Sequence, residues 1–77
     1  MNDWQMRVAI LKAAYNAAKK GESINVYEVS KGWGESKEKI DFNADYLHGK
    51  GWVIHDTMGG GMKITAKGID EYERKYA

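Results

Sequence analysis

The chain has no cysteine and no proline, and no long apolar run interrupts its pattern. Without cysteine, disulfides and zinc–thiolate staples are excluded, and the absence fits a reducing cytoplasm. No stretch approaches the roughly 18 apolar residues that span a bilayer. Asp3, Arg7 and Lys12 break up the N-terminal residues, so no signal-peptide pattern is present. A cytoplasmic chain with no membrane attachment is therefore expected. Charge of one sign is missing too. Twelve basic residues stand against 11 acidic ones, a formal net charge of +1. Duplex binding is largely electrostatic, so this balance marks the chain as no general polycation. Its 77 residues suffice for one domain, 1–77, whose core buries only about 60–65% of the unfolded surface.

The most informative stretch runs from Ser36 to Ile54, SKEKIDFNADYLHGKGWVI. Ser36 offers an oxygen to an early backbone N–H and is a good N-cap. Ile40, Ala44 and Leu47 then fall at i, i+4 and i+7, one face of a helix. Gly51 suits the left-handed residue just past a helix end, and Trp52 follows where a side chain packs back on the last turn, beside Leu47. Val53 and Ile54 are β-branched strand formers. One helix, a sharp stop and a strand are predicted.

Before this stretch, Asn2 or Asp3 caps a first helix, and with Asn2 as the cap Gln5 falls at the capping-box position. Trp4, Val8, Leu11, Tyr15 and Ala18 make its stripe, widened by Ile10 and Ala14. Lys19 and Lys20 lie in the last turn and Gly21 stops the helix. Residues 1–24 hold four cations against Asp3 and Glu22, a net of +2. Ser23 and Ile24 form a short extended piece. Asn25 and Glu28 then make a second capping pair, with Ile24 and Val29 as a hydrophobic staple. Val26, Val29 and Trp33 form the buried face of this helix, and Gly32 and Gly34 close it. After Ile54 the strand continues to Thr57, a Gly-rich connection covers Met58 to Gly61, and Met62 to Ile64 return. Thr65 caps a last helix whose apolar edge is Ile69, Tyr72 and Tyr76.

Helix, short strand, helix, turn, helix, hairpin, helix is an order that resembles the winged helix-turn-helix superfamily. Two passages carry the likeness. Ile40, Ala44, Leu47, Gly51, Trp52 and Ile54 stand where that family has its apolar recognition-helix pattern and its Gly-Leu-Ile stop. Ile64-Thr65-Ala66-Lys67-Gly68 looks like the Leu-Thr-x-Lys-Gly that opens the helix after the wing in MarR- and PadR-type regulators. The resemblance covers nearly the whole chain. It implies an α+β, mostly helical fold with a three-helix core, a two-stranded wing and a C-terminal helix. It also implies a DNA-binding transcriptional regulator that docks the helix from Ser36 in the major groove of double-stranded DNA.

On that reading the contacts are Ser36, Lys37, Lys39, Asn43, Lys50 and Lys63. Lysines in the first turn oppose the helix dipole, which phosphates would offset. The outward residues Glu38, Phe42 and Asp45 point the other way. From Asn25 to Lys50 there are four lysines against five acids, and neither Arg7 nor Arg74 falls on the groove face. The tip of the wing, Met58 to Met62, carries no charge. The rival expectation is a protein-interaction or dimerisation module, using Phe42 and Tyr46 with Trp4, Tyr72 and Tyr76. Both readings stand on the residues alone.

No enzyme, cofactor or metal is expected. His48 and His55, even with Asp56, Met58 or Met62, match no ligand spacing. There is no cysteine nucleophile, no Gly-x-Ser-x-Gly and no Walker loop. Gly59-Gly60-Gly61 lies in a hairpin rather than between a strand and a helix, so it cradles no phosphate.

Overall fold

The computed structural model describes residues 1–76. Its elements are α1 (Asp3–Ala18), β1 (Ile24–Asn25), α2 (Val26–Val29), α3 (Lys37–Gly49), β2 (Val53–His55), β3 (Gly61–Ile64) and α4 (Ala66–Lys75). Four helices and one antiparallel sheet make a mostly helical α+β fold.

The caps fall where the residue types place them. The Asn2 side chain accepts from the Gln5 amide at 2.8 Å, and the Gln5 side chain accepts from the Asn2 amide at 2.9 Å. Asn25 caps α2, Ser36 caps α3 and Thr65 caps α4. The end of α3 is a Schellman closure. Gly51, at φ +77°, sends its N–H to His48 O at 2.9 Å, and the Trp52 N–H reaches Leu47 O at 3.1 Å. That left-handed residue turns the chain directly into β2.

The sheet has three strands, in the order β1-β3-β2. Val53 pairs with Ile64, Ile54 with Lys63 and His55 with Met62, while Ile24 pairs with Met62 and Asn25 with Gly61. The expected hairpin forms from β2 and β3, and the extended piece expected at Ser23-Ile24 joins it as a third strand, β1. The extra strand arises because Asn25 both caps α2 and holds the hairpin. Its Nδ2 donates to Gly59 O at 2.7 Å, and the next amide, Val26 N–H, donates to Gly60 O at 2.8 Å. Gly60 approaches so closely that a Cβ there would lie 2.5 Å from the Tyr27 ring. The second helix is shorter than expected, one turn ending at Val29, so Trp33 packs against the core from the following turn.

Met6, Ile10 and Ala14 from α1, Ile40, Ala44 and Leu47 from α3, Val26, and Val53, Met62 and Ile64 from the sheet form the core. Each large apolar side chain buried this way contributes about 1.5–3 kcal/mol. The expected face of α3 is the observed one. The expected stripe of α1 is rotated: Met6 replaces Trp4 at its head, and Trp4 is 61% exposed. Leu11 and Tyr15 remain inside and Val8 is half-buried. No helix among the described residues is long and apolar enough to cross a membrane.

Candidate functional site

The six residues expected at a DNA groove part company in the structure. Ser36 Oγ is occupied as the cap, accepting from the Lys39 amide at 3.2 Å. Lys37 Nζ lies 2.9 Å from Asp41 Oδ2, one turn along the same helix. Asp41 Oδ1 accepts from the Tyr27 hydroxyl of α2. The Tyr27 hydroxyl and then Lys37 hold the Asp41 carboxyl below its ordinary range, and the Asp41 contact raises the Lys37 ammonium. Lys39 Nζ pairs with Glu35 Oε1 at 3.2 Å and donates to the Met1 carbonyl. Both first-turn lysines therefore already have counter-charges.

Asn43 is not a surface residue. It sits three residues after Ile40 and four before Leu47, so it shares their inward face, and it is fully buried. Its Nδ2 donates to Asp3 Oδ1 at 3.0 Å and to Lys39 O at 2.9 Å, while its Oδ1 accepts from Arg7 Nε at 2.8 Å. This amide ties α1 to α3, and it is unable to reach a base. Lys50 and Lys63 are exposed and have no ion pair among the described residues.

A different set of residues is brought together between α1, α3 and α4. A groove of about 160 Å³ is lined by Trp4, Arg7, Tyr46, Trp52, Glu71 and Tyr76, among others. The Arg7 guanidinium lies 3.7 Å from the Tyr46 ring centre and 5.8 Å from that of Phe42. Tyr46 meets Trp52 edge-on at 6.4 Å, and Trp4 faces Tyr76 at 6.5 Å. Lys50 Nζ stands 5.7 and 5.9 Å from the Tyr46 and Trp52 rings. Phe42 is 58% exposed, and Tyr46 and Tyr76 are 37% exposed each. Of the aromatic residues expected to serve protein contacts, Phe42, Tyr46, Trp4 and Tyr76 reach the surface. Tyr72 does not: it is buried, its ring stacked 4.4 Å from that of Tyr15. Position 72 follows Gly68 and Ile69 by four and three residues, on the side of α4 that meets α1.

Arg7 is the site residue that sequence reasoning missed. Its signal was its place on the Trp4 side of α1, three residues after Trp4 and four before Leu11. Its Nε is held by Asn43, and its terminal nitrogens have no protein partner among the described residues. Glu71, the carboxylate in the groove wall, is answered by Arg74 at 2.6 Å and Lys75 at 2.9 Å. Lys75 and then Arg74 hold its pKa below the usual range.

Elsewhere, the His55 side chain is 1% exposed, and neither ring nitrogen has a hydrogen-bond partner in the structure. Asp45 Oδ1 stands 3.6 Å from its Nδ1. Among the described residues, no group of three or more His, Cys, Asp or Glu is arranged to hold a metal ion. No protein-family model, curated protein or solved structure matches the chain.

Proposed function

We propose that this chain is a winged-helix domain that docks another protein through the aromatic face shared by α1, α3 and α4. The winged-helix part rests on the element order α1-β1-α2-α3-β2-β3-α4 and on the motifs around Gly51 and Thr65. The docking part rests on one observation above the others: Arg7 is stacked on Tyr46 amid exposed Phe42, Trp4 and Tyr76. Tryptophan, tyrosine and arginine are the residue types that most often anchor protein interfaces.

A second reading, a regulator that docks α3 on duplex DNA, keeps Lys50 and Lys63 as cations free of carboxylates. Against it, Asn43 is buried, Lys37 and Lys39 are paired, and Glu38 and Asp45 are exposed on the outward side of α3.

The two readings separate in one set of measurements. Fluorescence anisotropy on duplex DNA through a salt series is expected to give no specific complex. Affinity that falls steeply with salt, by a slope of roughly 0.9 per phosphate contact, and that is lost in Lys50→Gln and Lys63→Gln would favour DNA. In cells that express the chain, a photocrosslinking amino acid at Phe42 is expected to capture a discrete adduct that Trp4→Ala abolishes. The same probe at Ile54, on the sheet, is expected to capture none. Equal capture from both positions would remove the docking reading.

A further inference from the structure

We infer that the aromatic groove takes an acidic segment of its partner, a carboxylate-bearing helix or strand with bulky apolar side chains. The inference rests on the docking proposal and deepens it. Its starting point is the state of Arg7. The guanidinium is fixed in two ways, by Nε on the buried Asn43 amide and by its face on Tyr46. Its terminal nitrogens have no protein partner among the described residues. A planar fork held in place with open donors fits a carboxylate in bidentate fashion.

The charge around the groove leads to the same class of partner. Arg7, Lys50, Arg74 and Lys75 stand at the groove or in contact with its lining. Glu71 is the carboxylate in the wall, and Asp3 is the one that shares Asn43 with Arg7. Among the described residues, four cations against two acids leave a surplus of two. Glu71 is moreover saturated by its own two partners, so it offers nothing to a basic ligand. Arg7 and Lys50 are left on aromatic rings with no counter-charge among the described residues. An incoming carboxylate supplies one without displacing an existing ion pair. Between these cations Trp4, Trp52 and Tyr76 form apolar walls, and a volume of about 160 Å³ accommodates one large apolar side chain. Acidic residues alternating with leucine or phenylalanine therefore complement both the charge and the shape. A basic segment would meet the surplus cations.

The test uses the full chain and three end-blocked peptides of about three helical turns. Each carries leucines along one stripe. The remaining positions are glutamate in the first peptide, glutamine in the second and lysine in the third. Trp4 and Trp52 line the groove while Trp33 lies outside it, so tryptophan fluorescence reports binding. The glutamate peptide is expected to bind, and the glutamine peptide about tenfold or more weakly. Arg7→Gln is expected to weaken the glutamate peptide by about the same factor. Arg7→Lys is expected to restore only part of the loss, because it keeps the charge without the fork. Lys50→Gln provides a variant that leaves the Asn43 network intact, should Arg7→Gln fold poorly.

Equal binding of the glutamate and glutamine peptides would overturn the acidic assignment and leave the docking proposal standing. Tighter binding of the lysine peptide would overturn it as well. If none of the three alters the fluorescence, the groove is no peptide site and the docking proposal falls with it. Light scattering that shows a dimer with Trp4 and Trp52 occluded would replace the acidic partner by a second copy of the chain.

Discussion

In the first half of α3 each cation is answered by oxygen, whereas near its second half the cations rest on aromatic rings. Lys37 meets Asp41 and Lys39 meets Glu35, both at i, i+4 spacing. Arg7 and Lys50 lie over Tyr46, and Lys50 also over Trp52. The ion pairs of the first arrangement are local, between side chains four residues apart, and leave neither lysine without a counter-charge. The second is assembled from α1, α3 and the turn that follows α3, and leaves hydrogen-bond donors open. A lysine count therefore does not show which cations are open to a partner. What matters is whether a cation already has its counter-charge.

The strongest way to break this comparison is to push the helices that form the groove apart. Gly68 lets α4 lie directly on the chain leaving α3, since a Cβ at that position would fall 2.0 Å from Trp52 O and 2.7 Å from the Ile64 side chain. Backbone on one side leaves no flexible atom to yield. Gly68→Ala is expected to cost about 3 kcal/mol and to lower Tm by more than about 10 °C. Thermal and urea denaturation measure it. A variant that melts with the parent would mean that α4 is not seated on Trp52.

Next in size is Asn43. Replacing it by alanine leaves Arg7 Nε and the Asp3 carboxylate without the buried amide they share. A cost of about 1–3 kcal/mol is expected. Arg7 is then free to leave Tyr46, so the glutamate peptide should bind more weakly as well. A double-mutant cycle of Asn43→Ala with Arg7→Gln isolates the link between them. Additive losses would show that the amide does not position the guanidinium.

These two residues also show what the sequence makes legible. The caps at Asn2, Asn25, Ser36 and Thr65 and the stop at Gly51 depend on neighbours within a few residues, so they can be read directly. The inward face of α3 is equally plain, because its outward residues are charged apart from Phe42. The first helix is harder. Apolar residues lie on much of its circumference, so Trp4-Val8-Leu11-Tyr15 and Met6-Ile10-Ala14 are both good stripes. Tertiary packing buries the second together with Leu11 and Tyr15, and that rotation exposes Trp4 and delivers Arg7 to Tyr46. The misplacement of Asn43 has a related cause. A polar residue on a face flanked by Ile40 and Leu47 reads as surface until its partners arrive from α1, 36 and 40 positions away. The short strand was expected at Ser23-Ile24, but its pairing with β3 was not legible, since two residues carry no periodicity that names a partner.

A smaller effect tests the closed half of α3 through pH. The Asp41 carboxyl is depressed by the Tyr27 hydroxyl and then by Lys37. Its contribution is therefore present above its unfolded pKa, about 4, and is lost as pH falls through the lower folded value. The Tyr27 hydroxyl is raised, first by its bond to Asp41 and then by burial. Its contribution is present below about pH 10 and is lost as pH rises through the higher folded value. Tyr27→Phe should flatten both ends of the stability profile while leaving Trp4 and Trp52 fluorescence unchanged. Parallel profiles for parent and variant would show that the bond carries no linkage.

The smallest effect expected is that of Lys37→Gln. The Lys37 side chain is 66% exposed, and that of its partner Asp41 is 32% exposed. Water screens such a pair, and holding two flexible side chains together offsets much of the attraction. Asp41 also keeps the Tyr27 hydroxyl when the lysine is lost. The Tm of Lys37→Gln should therefore match that of the parent, and added salt should alter the two alike. The decisive use of this variant lies in binding. If the halves of α3 are distinct, it binds the glutamate peptide as the parent does, whereas Arg7→Gln does not. A loss with Lys37→Gln equal to that with Arg7→Gln would show that long-range charge, rather than a fixed fork over Tyr46, attracts the acidic segment, and the division of α3 into a closed and an open half would fail.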